Sequence, residues 1–344
     1  MARRALHGLP AVIGGTPLIE LQHLVPEFRS RLLVKTERFN PGGSIKDRTA
    51  LAMLLGAIES GDLDPERSVV IESSSGNLGV GLAQICRYFG LRFICVVDAK
   101  TTSRNLELLR AYQAEVEVVS RPDEESGEFL PARLRRVREL LAAIPHAYWP
   151  NQYANPNNPR AHQQTMREIA QALEDRVDYL FASVGTFGTL RGCAEYIRTH
   201  RLGTRIIGVD AVGSVIFDQP PAPRLLPGHG ASIRPPLTDA SLVDEVVHVS
   251  DLEAVVGCRR LLRREAVLAG GSSGAVTAAL LGYRDRIPAG STCVLIYPDG
   301  GDRYLDTIFN DAWVTEKFGE VAHLWKDALP PAAATPAAGA QPVG

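Results

Sequence analysis

Asn40-Pro41-Gly42-Gly43-Ser44-Ile45-Lys46-Asp47-Arg48 sets a lysine just past a Pro-Gly-Gly turn, where a helical stretch begins. A lysine in water is protonated near neutral pH and does not attack carbonyls. Burial at a tight turn disfavours the charged form and frees the amine for imine chemistry. The glycines let the backbone turn sharply and pass close to a bulky planar ligand. The same run equally describes a surface loop entering a helix, so its meaning depends on what else the chain carries.

Around this run, β-like segments alternate with helix-like ones, which predicts an α/β fold with largely parallel sheets. Strands are expected at Ser68–Glu72, Phe93–Asp98, Glu115–Val119, Tyr179–Val184, Arg205–Asp210, Val246–Val249 and Thr292–Tyr297. Helical patterns cover Gly79–Phe89, closed by Gly90, and Leu252–Ala266, opened by a capping box of Ser250 and Glu253. The last residues, Pro330–Gly344, are rich in Ala, Pro and Gly and uncharged, the composition of a disordered tail.

With 344 residues, 45% hydrophobic and 22% charged, the chain is long enough for two domains. A net charge of −2 gives no electrostatic reason to bind nucleic acid or an acidic membrane, so the expected partners are small molecules. The five cysteines lie apart in apolar segments without a C-x-x-C pair and read as buried free thiols in a reducing compartment. Met1–His7 opens no apolar segment of signal-peptide length, and a cytoplasmic protein is expected. His146, His162, His200, His229 and His248 have no metal-ligand spacing, so no metal site is expected. No G-x-G-x-x-G follows the first strand, which argues against a nicotinamide site.

Three further Gly- or Ser-rich segments are each read as following a strand and opening a helix, where open α/β sheets place ligands. Glu72-Ser73-Ser74-Ser75-Gly76-Asn77-Leu78-Gly79 offers hydroxyls, backbone N–H groups at a helix start and the neutral amide of Asn77, suited to a carboxylate. Gly185-Thr186-Phe187-Gly188-Thr189 can wrap a phosphate. Gly270-Gly271-Ser272-Ser273-Gly274 supplies a late serine. Each alone also reads as an ordinary helix cap. Together with a lysine they meet the needs of pyridoxal phosphate: an imine partner, a phosphate site and a group at the ring nitrogen.

From Ile13-Gly14-Gly15-Thr16-Pro17-Leu18 to Asp302-Arg303-Tyr304-Leu305 the chain resembles the fold-type II pyridoxal-phosphate enzymes that include cysteine synthase and cystathionine β-synthase. The resemblance implies a tryptophan-synthase-β-like α/β fold of two domains with mostly parallel sheets. Residues 1–47 and 154–328 would form a large cofactor-binding domain, 48–153 a smaller inserted one and 329–344 a tail. It also implies a homodimer. Lys46 would form the imine, Asn77 would bond the ring hydroxyl, Gly185, Thr186, Phe187, Gly188 and Thr189 would hold the phosphate, and Ser272 would face the pyridine nitrogen. Ser74, Ser75, Gly76 and Gln152 match the positions that take the substrate carboxylate. Arg133 stands near the site as an anion partner, against the alternative of a solvated basic helix face, and Tyr153 either closes the pocket or packs.

Ala147-Tyr148-Trp149-Pro150-Asn151-Gln152-Tyr153-Ala154-Asn155, Gly213-Ser214-Val215-Ile216-Phe217 and Leu226-Pro227-Gly228-His229-Gly230-Ala231-Ser232 are similar to a narrower branch. That branch makes N-(2-amino-2-carboxyethyl)-L-glutamate from O-phospho-L-serine and L-glutamate, towards 2,3-diaminopropionate in siderophore and antibiotic pathways. The resemblance implies β-replacement with Lys46 as the base, phosphate leaving and the glutamate amine adding. A cysteine-forming O-acetylserine or O-phosphoserine sulfhydrylase is the rival enzyme, and a catalytically silent partner or regulator the rival of another class. Two positions depart from the cysteine synthase pattern. Phe187 replaces a usual glycine, and its ring must lie either away from the cofactor or over the substrate. Leu78 replaces a threonine and removes a hydroxyl from the carboxylate cradle.

Overall fold

A computed structural model describes residues 8–125 and 127–326. The expectations for Met1–His7 and for the 329–344 tail lie outside the described residues. The main elements begin with β1 (Leu18–Glu20), β2 (Arg31–Thr36), α1 (Lys46–Ser60), β3 (Val69–Ser73), α2 (Asn77–Phe89), β4 (Arg92–Asp98), α3 (Ser103–Ala111), β5 (Glu115–Val119), α4 (Phe129–Ala143) and β6 (Ala147–Tyr148). They continue with α5 (Asn157–Ala172), β7 (Tyr179–Ser183), α6 (Gly188–Thr199), β8 (Arg205–Ala211), β9 (Glu245–Val249), α7 (Asp251–Glu265), α8 (Gly271–Tyr283) and β10 (Thr292–Tyr297).

The expected α/β fold is present as two sheets. One has the order β1-β2-β10-β7-β8-β9 and is parallel except where β1 meets β2. The other, β5-β4-β3-β6, is parallel throughout. Parallel strands need helical crossovers on the sheet faces, and the burial follows from that. Leu180, Ala182 and Val294 pack under α5 and α6 on one face of the six-stranded sheet, while Phe181, Leu295 and Val209 pack under α7 and α8 on the other. In the small sheet, Val70 and Phe93 meet α1 and α2, and Ile71 and Val96 meet α4.

The seven expected strands are present with ends shifted by at most one residue, and three strands were not foreseen. β6 has only two residues and β1 three. β2 was concealed by Lys35, which reads locally as a solvent-facing end yet is 2% exposed. Its ammonium lies 2.6 Å from Glu168 Oε2, a partner 133 positions away, and 2.5 Å from the Thr16 carbonyl. The capping box at α7 forms in full between Ser250 and Glu253, and Gly90 closes α2 in the left-handed conformation. All five cysteines are free and buried, and burial raises each thiol above its ordinary range.

Strand order places the cleft. In the large sheet the chain leaves β7 for β8 on one side and returns from β9 to β10 on the other, so the crossovers diverge between β7 and β10. In the small sheet they diverge at β3, between β4 and β6. Crevices outside the carboxyl ends of strands open at such switch points. The loops that leave β3, β7 and β10 include Ser74–Gly76, Gly185–Phe187 and Asp299–Gly300.

Candidate active site

The Lys46 turn is fastened to the large sheet while its helix belongs to the small one. Ile45 N–H donates to the Pro298 carbonyl at 2.7 Å, and Ser44 bridges to Asp299. Beyond the turn, Ala50, Met53, Leu54 and Ala57 of α1 sink into the small-sheet core. The two glycines have separate reasons. Gly43 has φ 83°, which only glycine adopts without strain. At Gly42 a Cβ would lie 2.5 Å from Asp47 Oδ1, and Gly42 N–H donates to the other carboxylate oxygen.

Lys46 is half-buried at the start of α1. Desolvation therefore lowers its pKa, opposed by the negative charges of Asp299 and Glu37. Asp299 is buried and pushed up by desolvation, while donors from Asn77 and Tyr304 favour its charged form. Asn77 Nδ2 and Tyr304 OH each reach Asp299 Oδ2 at 2.8 Å. Arg303 donates to Asn77 Oδ1 and to the Gly42 carbonyl, joining the amide to the lysine turn. The Asn77 amide is thus fixed in orientation, with a second Nδ2 hydrogen to spare.

Behind the lysine, Arg48 pairs with Glu37 and Glu168 at 2.7 Å each, and Thr16 Oγ1 donates to Glu37. Burial pushes Glu168 up, but Arg48 and Lys35 overcome it and bring the carboxyl to about 2. This set of charges holds the start of α1 against β2 and α5.

On the small-sheet side, Ser74 Oγ accepts from Gly79 N–H at 3.0 Å and caps the entry to α2. Ser75 Oγ donates to Asp98 Oδ2 at 2.9 Å, and Arg133 Nη1 reaches the same hydroxyl at 2.5 Å. Arg133 Nε lies 3.3 Å from Asp98 Oδ2, and its side chain is 13% exposed. The solvated-helix reading of Arg133 is therefore overturned: it is an enclosed cation beside the Ser74–Gly76 loop. Gln152 is buried, and Glu72 holds its backbone. That carboxylate accepts from Gln152 N–H at 3.2 Å, Ser73 N–H at 2.8 Å and Trp149 Nε1 at 3.0 Å. Burial raises Glu72 to about 7 despite these donors. Tyr153 is half-buried, and desolvation raises its phenol against the nearby Arg133 charge.

Gly185–Thr189 wraps the start of α6, whose first N–H groups have no partner within the helix. The Phe187 question is answered by burial. The residue has φ 70° and its ring is 1% exposed, packed against Phe217 with Leu190 and Ile216, so it lies in the core and not over the cleft. Leu78 is also buried, in the small-sheet core. Ser272 sits in the first turn of α8, and a Cβ on Gly228 would come 3.9 Å from its hydroxyl and 4.0 Å from that of Tyr304.

Lys46, the Ser74–Asn77 segment, Gly185–Thr189 and Ser272 thus come from four separate segments, and Asp299 joins the first two, since Ser44 bridges to it and Asn77 Nδ2 donates to it. Asp299, Arg303, Tyr304, Glu72 and Asp98 were not singled out from sequence. The first three had a signal, a carboxylate after β10 followed by the Arg-Tyr pair that ended the recognised region. Glu72 and Asp98 had none, since each ends an apolar strand. His162 is a core residue, bonded through Nε2 to Thr49 Oγ1 at 3.0 Å. Among the described residues no group of His, Cys, Asp and Glu gathers as a metal site, and no helix is long and apolar enough to cross a membrane.

The sequence profile of the family described as "Pyridoxal-phosphate dependent enzyme" matches residues 9–299. The chain belongs to the pyridoxal-phosphate dependent enzyme family. It is 46% identical over 307 residues to N-(2-amino-2-carboxyethyl)-L-glutamate synthase of Ralstonia nicotianae, covering 88% of this chain and 89% of that one. It is 31% identical to the solved O-acetylserine dependent cystathionine beta-synthase from Helicobacter pylori, with TM-score 0.81 over 89% of this chain and 99% of that one. O-ureido-L-serine synthase gives 30% identity and TM-score 0.81, covering 91% of this chain and all 100% of that one. The protein is a pyridoxal-phosphate-dependent transferase of the cysteine synthase type, and its cofactor is pyridoxal 5'-phosphate. The cleft fits that cofactor. Besides a lysine whose pKa burial lowers and the free N–H groups at the start of α6, which suit an anion, Ser73 Oγ, Ser273 Oγ and Asp299 Oδ1 on the framing segments are buried without a hydrogen-bond partner among the described residues.

Proposed function

We propose that the enzyme replaces the phosphate of O-phospho-L-serine with the α-amine of L-glutamate, giving N-(2-amino-2-carboxyethyl)-L-glutamate and inorganic phosphate. The observation that carries this reading is the 46% identity over most of the chain to a synthase of that product. The enclosed Arg133 beside Ser75 supports it, because a guanidinium suits a phosphate monoester better than an uncharged leaving group.

In this reading Lys46 holds the cofactor, Gly185, Thr186, Phe187, Gly188 and Thr189 bind its phosphate through backbone and hydroxyl donors, Asn77 donates to the ring oxygen and Ser272 meets the ring nitrogen. Bound there, pyridoxal phosphate supplies an electron sink that makes the substrate α-proton removable. Ser74, Ser75, Gly76 and Gln152 grip the substrate carboxylate. Once the substrate's amino group has displaced it, Lys46 Nζ takes the α-proton, for which its lowered pKa prepares it. The β-carbon–oxygen bond breaks, phosphate departs towards Arg133, and the glutamate nitrogen then bonds to the β-carbon. Lys46 returns a proton to the α-carbon, and Tyr153 limits the space available to the incoming amine. Residues 48–153 act as a smaller domain that closes on the large one (1–47 and 154–328) and excludes water during this exchange. A homodimer acting in the cytoplasm, and supplying 2,3-diaminopropionate for siderophore assembly, completes the reading.

Incubation with O-phosphoserine and either glutamate or sulfide, followed by mass spectrometry, tests it. The expected product is the glutamate adduct with release of phosphate. Cysteine alone, without the adduct, would make the enzyme a sulfhydrylase and overturn the proposal.

A further inference from the structure

Asn158, 2% exposed at the start of α5, touches three segments of the site at once. Its Nδ2 donates to the Gln152 carbonyl at 2.8 Å and to Thr186 Oγ1 at 3.0 Å, and its Oδ1 accepts from Thr49 Oγ1 at 3.4 Å. Gln152 belongs to the substrate side, Thr186 to the phosphate loop, and Thr49 lies one turn beyond Lys46. Thr186 Oγ1 also receives the Gly188 N–H at 3.4 Å. A hydroxyl has two acceptor sites and one proton. With both acceptor sites met by N–H donors, the Thr186 proton is left to point away from them, into the loop. The amide lies so close to the loop that a Cβ on Gly188 would come 2.1 Å from Asn158 Oδ1.

We propose that Asn158 is a positioning residue that turns the Thr186 hydroxyl into a donor towards the cofactor phosphate and locks that loop to the Gln152 segment and the lysine helix. An amide is required for this. A carboxylate of the same shape would repel the Gln152 carbonyl, capture the Thr186 proton and place a negative charge beside a phosphate. The proposal rests on Gly185–Thr189 being the phosphate cradle and is independent of which nucleophile the enzyme uses.

Binding of pyridoxal 5'-phosphate to apoenzyme, followed by tryptophan fluorescence, and the 31P resonance of the bound phosphate test it without reference to turnover. Thr186→Val and Asn158→Ala are each expected to weaken cofactor binding about tenfold, the effect of one lost hydrogen bond to a charged group. Their combination should weaken it by little more than either alone, because both remove the same proton from the phosphate. Asn158→Asp should weaken it further and shift the 31P signal towards that of free cofactor. It also serves if the alanine variant does not fold. Asn158 variants that lower thermal stability but leave cofactor affinity within about twofold of wild type, or that add fully to Thr186→Val, overturn the proposal. Unchanged affinity in Thr186→Val would instead overturn the cradle on which it rests.

Discussion

Replacing Phe187 by glycine sets two opposing effects against each other. At φ 70° the residue occupies the left-handed region, where an L side chain costs about 1–2 kcal/mol that glycine avoids. Its ring, however, is 1% exposed and packs 5.9 Å from the Phe217 centroid. Removing a buried phenylalanine costs about 3–5 kcal/mol. Glycine's greater freedom in the unfolded chain adds about 0.5–1 kcal/mol. Burial wins, and Phe187→Gly is expected to destabilise the protein by about 3 kcal/mol. Urea unfolding of both proteins, compared at equal slope, measures the difference. Because the ring lies in the large-sheet core, the choice between amine and sulfide nucleophiles should not change. A variant as stable as wild type, or one that trades glutamate for sulfide, refutes this placement.

Two further outcomes concern buried carboxylates. Glu72→Gln turns an NH2 group towards N–H donors and loosens the Gln152 backbone, so the KM for the amino-acid substrate should rise about tenfold with a smaller change in kcat. In the wild type that KM should also rise as pH falls through about 7, where Glu72 gains a proton. Initial rates across pH that show the same inflection in Glu72→Gln would contradict this. Glu168 lies below its ordinary value of 4.5, at about 2, so its pairing with Arg48 and Lys35 stabilises the fold fully above about pH 4.5 and is lost as pH falls towards 2. Glu168→Gln should therefore flatten the acid limb of a stability-against-pH curve, and an unchanged limb would show that the charges do not act this way.

The fold was legible where the signal was local. Short apolar runs gave most of the strands, and the Ser250–Glu253 box marked a helix start that forms as expected. β2 escaped because its burial depends on a lysine neutralised from α5, a pairing that no window of sequence contains. The same division holds in the cleft. Lys46, Asn77, Ser272 and the phosphate loop each lie in a glycine- or serine-rich turn, which distinguishes them from the helices around them. Glu72 and Asp98 end apolar strands and resemble ordinary surface carboxylates until the structure shows them turned inward against Gln152 and Arg133. Phe187 was visible as an anomaly, but its direction depended on Phe217, thirty positions further along a different segment.

The central claim is that Lys46 is the residue that holds the cofactor. The sequence has five lysines: Lys35, Lys46, Lys100, Lys317 and Lys326. Lys35 is committed to Glu168 and the Thr16 carbonyl, and the last three are exposed. Borohydride reduction of the cofactor-loaded enzyme, followed by digestion and mass spectrometry, would locate the attachment directly. The expected result is a phosphopyridoxyl group on the peptide containing Lys46; the same group on any of the other four, with Lys46 unmodified, would contradict the account.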